Sequence, residues 1–363
     1  MNRDAADRFC RAHFLVKSWW RLGSWLRPLV LVVVVLTACS PVDLTRFSDA
    51  VLSVADRGIG GTGIFGTITG FGSVLVNGLT IDFDQETVIT NDGVLTSESA
   101  LAVGQVVAIE AGSREGRLQA RSISIANAVS GPITAVTASR TQIEVLGQTV
   151  ALDPEMLKTP VPTDLSAGQW VTVSGLRNAQ GTIVASRIGR RATGGRISVR
   201  GPVRSRTENG FTIGRLSVIA PGPGPGRTIE RGLTTLVVGA LTSAGLRAAQ
   251  VQVASIVPFD GHLSRLSIEG FVGRREGQRV SISGIQASIT DATEVRGKAD
   301  NQLSANDRVT IDAVIEGGET LATKIDVHAP ATHDTRESRG DGIRERAARS
   351  RERSDELSEH AGE

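Results

Sequence analysis

An internal repeat constrains this chain more than any other feature. The pattern Gly-x-[Ile/Val] falls at Gly66-Thr67-Ile68, Gly131-Pro132-Ile133, Gly201-Pro202-Val203 and Gly270-Phe271-Val272, at spacings of 65, 70 and 69 residues. A second pattern, Ala-x-x-[Ile/Val], falls at Ala120, Ala185, Ala248 and Ala322, at spacings of 65, 63 and 74. Two landmarks that keep step through four copies define a unit of roughly 65 residues. That is too long for a solenoid turn and the size of one small domain.

Between the landmarks every copy reads as strands. Gln142-Ile143-Glu144-Val145-Leu146, Gln148-Thr149-Val150-Ala151-Leu152 and Trp170-Val171-Thr172-Val173-Ser174 alternate with period two, and Arg308-Val309-Thr310-Ile311-Asp312 repeats the pattern in the fourth copy. Val, Ile and Thr fill the strands, Gly punctuates the turns, and no stretch sustains a helical period. A unit of this size with one apolar face hides it by closing on itself. The expected fold is therefore all-β, four tandem small antiparallel β-barrels of OB or SH3 type, with five or six strands each. Such a barrel buries only about 60% of its unfolded surface, so neighbouring copies are expected to pack together. The boundaries read as 63–128, 129–193, 194–262 and 263–328. The third copy diverges most, because PGPGPG at 221–226 interrupts a strand. Its barrel is expected to be open or degenerate at that edge.

Residues 1–38 read as a targeting segment. Six basic residues (Arg3, Arg8, Arg11, Lys17, Arg21, Arg27) stand against Asp4 and Asp7, and an uncharged apolar run of 11 residues follows at 28–38. A bilayer crossing needs about 20 residues, so the run suits a secretory signal better than a permanent span. It ends in Leu36-Thr37-Ala38-Cys39, similar to the lipobox of bacterial lipoproteins, which makes Cys39 the candidate lipidation site. Of the two Cys, Cys10 lies in the segment to be removed, so the exported chain can form no internal disulfide. Removing six basic and two acidic residues takes 40 and 38 to 34 and 36, a net charge of −2. The basic character of the whole chain therefore belongs to the signal, and it does not argue for nucleic acid. Residues 39–62 read as a Gly-rich tether. The glycines at 58, 60, 61 and 63 lack the Gly-Lys-[Ser/Thr] of a phosphate-cradling loop.

The stretches GIGGTGIFGTITGFGSVLVNGLTIDFD and GPITAVTASRTQIEVLGQTVALD, with the GQ-x-V-x-[Ile/Val] and Ala-x-x-Ile elements, resemble the repeated bacterial domain of unknown function DUF5666 over roughly residues 58–328. The resemblance implies an exported bacterial protein, often a lipoprotein, with tandem β-domains. It supplies no catalytic residues.

Few residues offer chemistry. His262 is the one histidine inside the repeats, and it has no ligand partner at metal-binding spacing. No Gly-x-Ser-x-Gly appears between a strand and a helix. Asp82, Asp84 and Glu86 fall on one face if 81–88 stays extended. The flanking residues lack the Gly and distal Glu of a calcium loop, so a solvated strand face is expected. Asp291-Ala292-Thr293-Glu294 reads as the equivalent turn, with side chains bonded to nearby amides. Catalytic residues, cofactors and metals are all expected to be absent.

The unusual local feature is basic. From 187 to 206 there are seven Arg and no Asp or Glu. Within it Arg196, Arg200, Arg204 and Arg206 share one parity, while Ile197, Val199, Gly201 and Val203 share the other. As a strand this presents a guanidinium row suited to phosphate and carboxylate groups, or an edge kept soluble by charge. Single-stranded nucleic acid would want aromatic platforms among the basic residues. The chain has no Tyr, and three of its four Trp lie in the signal segment, leaving Trp170. The residues from 329 to 363, with seven Arg and nine acids, cannot bury a core and are expected to be disordered. The reading is a lipid-anchored protein of the bacterial cell envelope, at the outer membrane facing the periplasm. It acts as a structural or binding module, with the membrane and anionic envelope polymers or headgroups as partners. A hydrolase of envelope polymers and a cation-dependent adhesion module are the alternatives.

Overall fold

The computed structural model describes residues 60–160, 162, 164–220, 229–253, 263–298 and 302–328. They form 22 strands in four sets. The first comprises β1 (Gly61–Gly70), β2 (Val74–Val76), β3 (Leu79–Asp82), β4 (Val88–Asn91), β5 (Val94–Leu95), β6 (Val106–Arg114) and β7 (Arg117–Ile125). The second comprises β8 (Val129–Val136), β9 (Gln142–Val145), β10 (Gln148–Ala151), β11 (Trp170–Arg177) and β12 (Ile183–Arg190). The third comprises β13 (Ile197–Thr207), β14 (Gly210–Ile213), β15 (Leu216–Ile219), β16 (Thr234–Thr242) and β17 (Gly245–Val253). The fourth comprises β18 (Leu263–Glu276), β19 (Arg279–Ile282), β20 (Ile285–Arg296), β21 (Arg308–Glu316) and β22 (Glu319–His328).

Each set closes into a five-stranded barrel in which the strands run first, second, third, fifth, fourth and back to the first, the order of an OB-type barrel. In the second copy that circuit is β8–β9–β10–β12–β11–β8. One pairing in every barrel is parallel, that of the third and fifth strands, as in β10–β12 and β15–β17. An odd number of strands cannot alternate in direction all the way round, so a wholly antiparallel closure is impossible. The third barrel closes like the others, through β13–β16 and β15–β17, which corrects the expectation of an open edge. The PGPGPG stretch lies outside the described residues. The first barrel carries an extra hairpin, β4–β5, whose strand β4 runs parallel to β7.

The landmarks now have physical causes. The opening Gly is the point where the hairpin after the second strand folds back on the first. A Cβ on Gly66, Gly131, Gly201 or Gly270 would lie 2.2 Å from Asn77, 2.6 Å from Leu146, 2.9 Å from Ile213 or 2.3 Å from Ser283, respectively. The next apolar residue but one exchanges two backbone hydrogen bonds with the turn before the fourth strand. Ile68 and Ile133 pair in this way with Gly104-Gln105 and Gly168-Gln169, and Val203 and Val272 with Gly232-Leu233 and Asn306-Asp307. Three glycines and one asparagine hold positive φ there, 87°, 88°, 90° and 70°, because only such residues take that conformation cheaply.

The closing Ala-x-x-Ile is a β-bulge. On a regular strand, residues three apart face opposite sides, yet Ala120 and Ile123 are both buried, as are Ala322 and Ile325. The register skips Arg121 opposite Glu110/Ala111 and Thr323 opposite Asp312/Ala313, and the extra residue restores the inward face. Ser186 and Ala249 are skipped at the same place in the other two barrels.

The barrels pack together, as expected of units too small to stand alone. The second and third share one apolar cluster, from Val129 and Ile143 to Ile213 and Val237. Phe65, Val106 and Ala126 of the first and Leu176 of the second join the core of the fourth. Sheets also cross between copies: β8 pairs antiparallel with β13, and β1 pairs parallel with β18, Phe65 opposite Ile268. Strand β1 begins at Gly61, so the last two residues read as tether are buried strand. Tether residues 39–59 with Cys39, the targeting segment, His262 and the charged tail lie outside the described residues.

Candidate functional site

The arginine row does not form one outward face. Strand β13 covers it from Ile197, and the predicted inward residues Ile197, Val199 and Val203 are buried. The opposite parity splits in two, because the first half of β13 pairs with both β8 and β16 and is covered by the extra hairpin of the first barrel. Ser198 donates to Asp92 Oδ2 at 3.0 Å, and Arg200, whose side chain is 17% exposed, meets Asp92 Oδ1 at 3.5 Å. Arg204 and Arg206 remain exposed, and Arg196 reaches Gln250 Oε1 at 3.5 Å. Of the four, Arg200 is thus an internal cation at the junction of three barrels.

Asp92 sits at φ +47° in the β4–β5 turn. It also accepts hydrogen bonds from the backbone N–H of Asn127 at 3.2 Å and from Asn127 Nδ2 at 3.1 Å. One carboxylate therefore ties the first barrel to the linker before the second and to the third.

Arg177, at the end of β11, is a second internal cation. Its guanidinium donates to the carbonyl oxygens of Arg200 and Gly181 and to Gln148 Oε1, at 2.7–3.1 Å. All of these partners are uncharged. Burial pushes its pKa down to about 10, so it stays protonated at neutral pH at an energetic cost. Burial also lowers the pKa of Arg200, partly offset by Asp92.

Two cavities meet at Arg177. A groove of about 510 Å³ between the second and third barrels is lined by Arg177, Arg204, Arg215 and Arg231, with no carboxylate among its lining residues. Glu144 pairs with Arg215 beside it. A chamber of about 260 Å³ lies where all four barrels meet. It is walled by Phe65, Val106, Leu176 and Phe271, with Arg177 and Arg200 among its lining residues. Sequence reasoning identified Arg204 but missed Arg177, Arg215, Arg231 and Asp92. These come from different copies, and no spacing in the chain marks their convergence.

The other candidates resolve locally. Residues 81–88 do not stay extended: β3 ends at Asp82 and a turn precedes β4, which separates the three carboxylates. Asp82 accepts from Ser73 and Arg117, and Asp84 accepts from Gln119 and the N–H of Glu86. Among the described residues no group of three or more His, Cys, Asp or Glu side chains could hold a metal ion. Thr87 lies in the turn before β4, whereas Thr293 lies inside β20 where its register with β22 shifts, so 291–294 is an irregularity within a strand and not the turn expected from the sequence. Each accepts from a nearby amide, that of Asp84 or Thr290, and donates to the carbonyl of the closing Ala. Trp170 packs half-buried on the second core with Arg191 stacked 5.8 Å above its ring.

No curated protein matches the chain. Among solved structures, "drosophila Unr CSD456" is similar at 12% identity over 56% of this chain and 98% of that chain, with a TM-score of 0.14, too low to carry an argument. The family model described as "Domain of unknown function (DUF5666)" matches residues 65–124, 130–189 and 269–326. These are the first, second and fourth barrels, and the third shares their strand order, opening Gly and bulge without matching. The first, second and fourth barrels are thus DUF5666 domains.

Proposed function

We propose that the chain is a lipid-anchored binding module of the bacterial cell envelope that holds anionic polymers or headgroups in the groove between its second and third barrels. The observation that carries this reading is the convergence of Arg177, Arg204, Arg215 and Arg231 on one cleft without a lining carboxylate. Guanidinium forks match phosphate and carboxylate oxygens, and a concave site focuses their field on a ligand. The 11-residue apolar run at 28–38, followed directly by Cys39, supports the anchor and the export route. A binder is favoured over a hydrolase because the cleft gathers cations, where glycoside hydrolysis wants two facing carboxylates.

The test is binding of the full-length chain and its Arg204→Ser/Arg231→Ser variant to lipopolysaccharide and to anionic liposomes. The variant should bind at least about tenfold more weakly at low salt. The difference should shrink as ionic strength rises through about 0.1 M, where the Debye length falls to about 10 Å. Equal binding at low salt would sink the proposal.

A further inference from the structure

The two walls of the groove between the second and third barrels differ. On the third barrel, Arg204 and Arg231 are exposed and have no partner among the described residues. The N–H of Gly232 donates to the carbonyl of Val203 at 2.8 Å, which sets these two arginines on neighbouring stretches of backbone. On the second barrel, Thr149, Gln180 and Thr182 are at least partly exposed, and their side chains make no hydrogen bond among the described residues. Two hydroxyls and a carboxamide can each both donate and accept. The other two arginines contribute field alone: Arg177 has Nε, Nη1 and Nη2 engaged within the protein, and Arg215 pairs with Glu144. The apolar lining residues are Ala179, Pro202 and Val203, and Val203 is buried. Among the described residues, then, no aromatic or long aliphatic side chain opens onto the groove.

Resting on the anion-binding role proposed for this groove, we infer that its ligand is an acidic polysaccharide, a linear chain with carboxylates or phosphates at intervals and hydroxyls between them. Such a chain complements both walls at once. Its acidic groups pair with Arg204 and Arg231, and its hydroxyls exchange hydrogen bonds with Thr149, Gln180 and Thr182. Two open cations favour a ligand with several anionic groups over a single small anion, because the second contact is intramolecular once the first is made. A bilayer is a poorer match. Its headgroups form a flat sheet that cannot enter a cleft, and surface binding to membranes draws on apolar side chains sunk below the headgroups, which this groove does not present. Single-stranded nucleic acid would want aromatic platforms among the cations, and the lining residues supply none.

The test uses calorimetric titration of the full-length chain at low salt with polygalacturonate, with polyglutamate (the charge without the hydroxyls) and with phosphatidylglycerol vesicles (the charge on a flat sheet). Polygalacturonate should bind saturably, and at least about tenfold more tightly per anionic group than either of the others. Thr149→Val/Gln180→Ala should weaken polygalacturonate about tenfold, the effect of losing two hydrogen bonds, and leave polyglutamate within about twofold. Arg204→Ser/Arg231→Ser should weaken both polymers. Arg274→Ser/Arg279→Ser removes the same charge from the fourth barrel and should change neither by more than about twofold. Two results would overturn the polysaccharide assignment and leave an anion-binding groove standing: polyglutamate or vesicles binding as tightly as polygalacturonate but losing affinity in Arg204→Ser/Arg231→Ser, or wild-type polygalacturonate affinity in Thr149→Val/Gln180→Ala. Two would remove the groove as well: no binding of any of the three probes, or an equal loss in Arg274→Ser/Arg279→Ser.

Discussion

Replacing Asp92 by Asn tests whether one buried carboxylate holds three barrels in register. Asn keeps the shape of Asp and tolerates the φ of +47°, so the change removes charge with little backbone strain. Asp92 and Arg200 are only 13% and 17% exposed in their side chains, so solvent screens the pair weakly. Breaking a buried pair by removing one partner costs about 3–5 kcal/mol, mostly from the ion left behind. The amide nitrogen would also face the donors Asn127 and Ser198, where Asp offers acceptors to both. The variant should therefore lose about 3–5 kcal/mol in urea unfolding followed by circular dichroism. Adding Arg200→Met removes the stranded cation and should recover more than half of that loss. A loss below about 0.5 kcal/mol, or a double variant no more stable than Asp92→Asn alone, would refute the claim that Arg200 depends on Asp92.

Three further outcomes follow from particular residues. Val199 is fully buried, so Val199→Asp should unfold the third barrel and open it to limited proteolysis, whereas Arg204→Ser/Arg206→Ser should shift stability by less than about 0.5 kcal/mol. Burial first, and Arg308 second, hold the His328 pKa below 6.5, against weaker opposite pulls from Glu269 and Asp326. The unfolded chain then binds the proton more readily, so stability present above pH 6.5 is lost as pH falls below it. Thermal unfolding between pH 7.5 and 5.5 should show the decline, and His328→Gln should flatten it. If Cys39 carries the proposed lipid anchor, Cys39→Ala should abolish lipid labelling and release the protein into the soluble envelope fraction; retention in membranes, uncleaved, would refute this.

The period-two alternation and the two landmarks were enough to read closed barrels, because each landmark reports a local constraint: a close approach at Gly131, a bulge at Ala120. The bulge went unread, because the Ala-x-x-Ile spacing alone does not say that both residues are buried, and only their shared burial shows the extra residue between them. Arg200 was misplaced because parity assigns a side of a strand and cannot say whether another barrel covers that side. The carboxylates at 82, 84 and 86 were placed on one face by assuming an extended chain where a turn intervenes. Arg177, Arg215 and Arg231 left no signal, because a cleft between copies is a property of how barrels dock and not of any one repeat.

The parallel pairing of β1 with β18 joins the first barrel to the last. In an open-ended tandem array each unit leans only on its neighbours, so units can be gained or lost at the ends. Here the first barrel leans on the last: Glu269 accepts from the N–H of Thr67 at 2.8 Å, and Asn77 donates to the carbonyl of Ser267 at 3.2 Å. A chain truncated after the third barrel would leave Phe65, Val106 and Ala126 without the apolar cover supplied by Ile268 and Val272. During synthesis the same surface stays uncovered until the fourth barrel emerges.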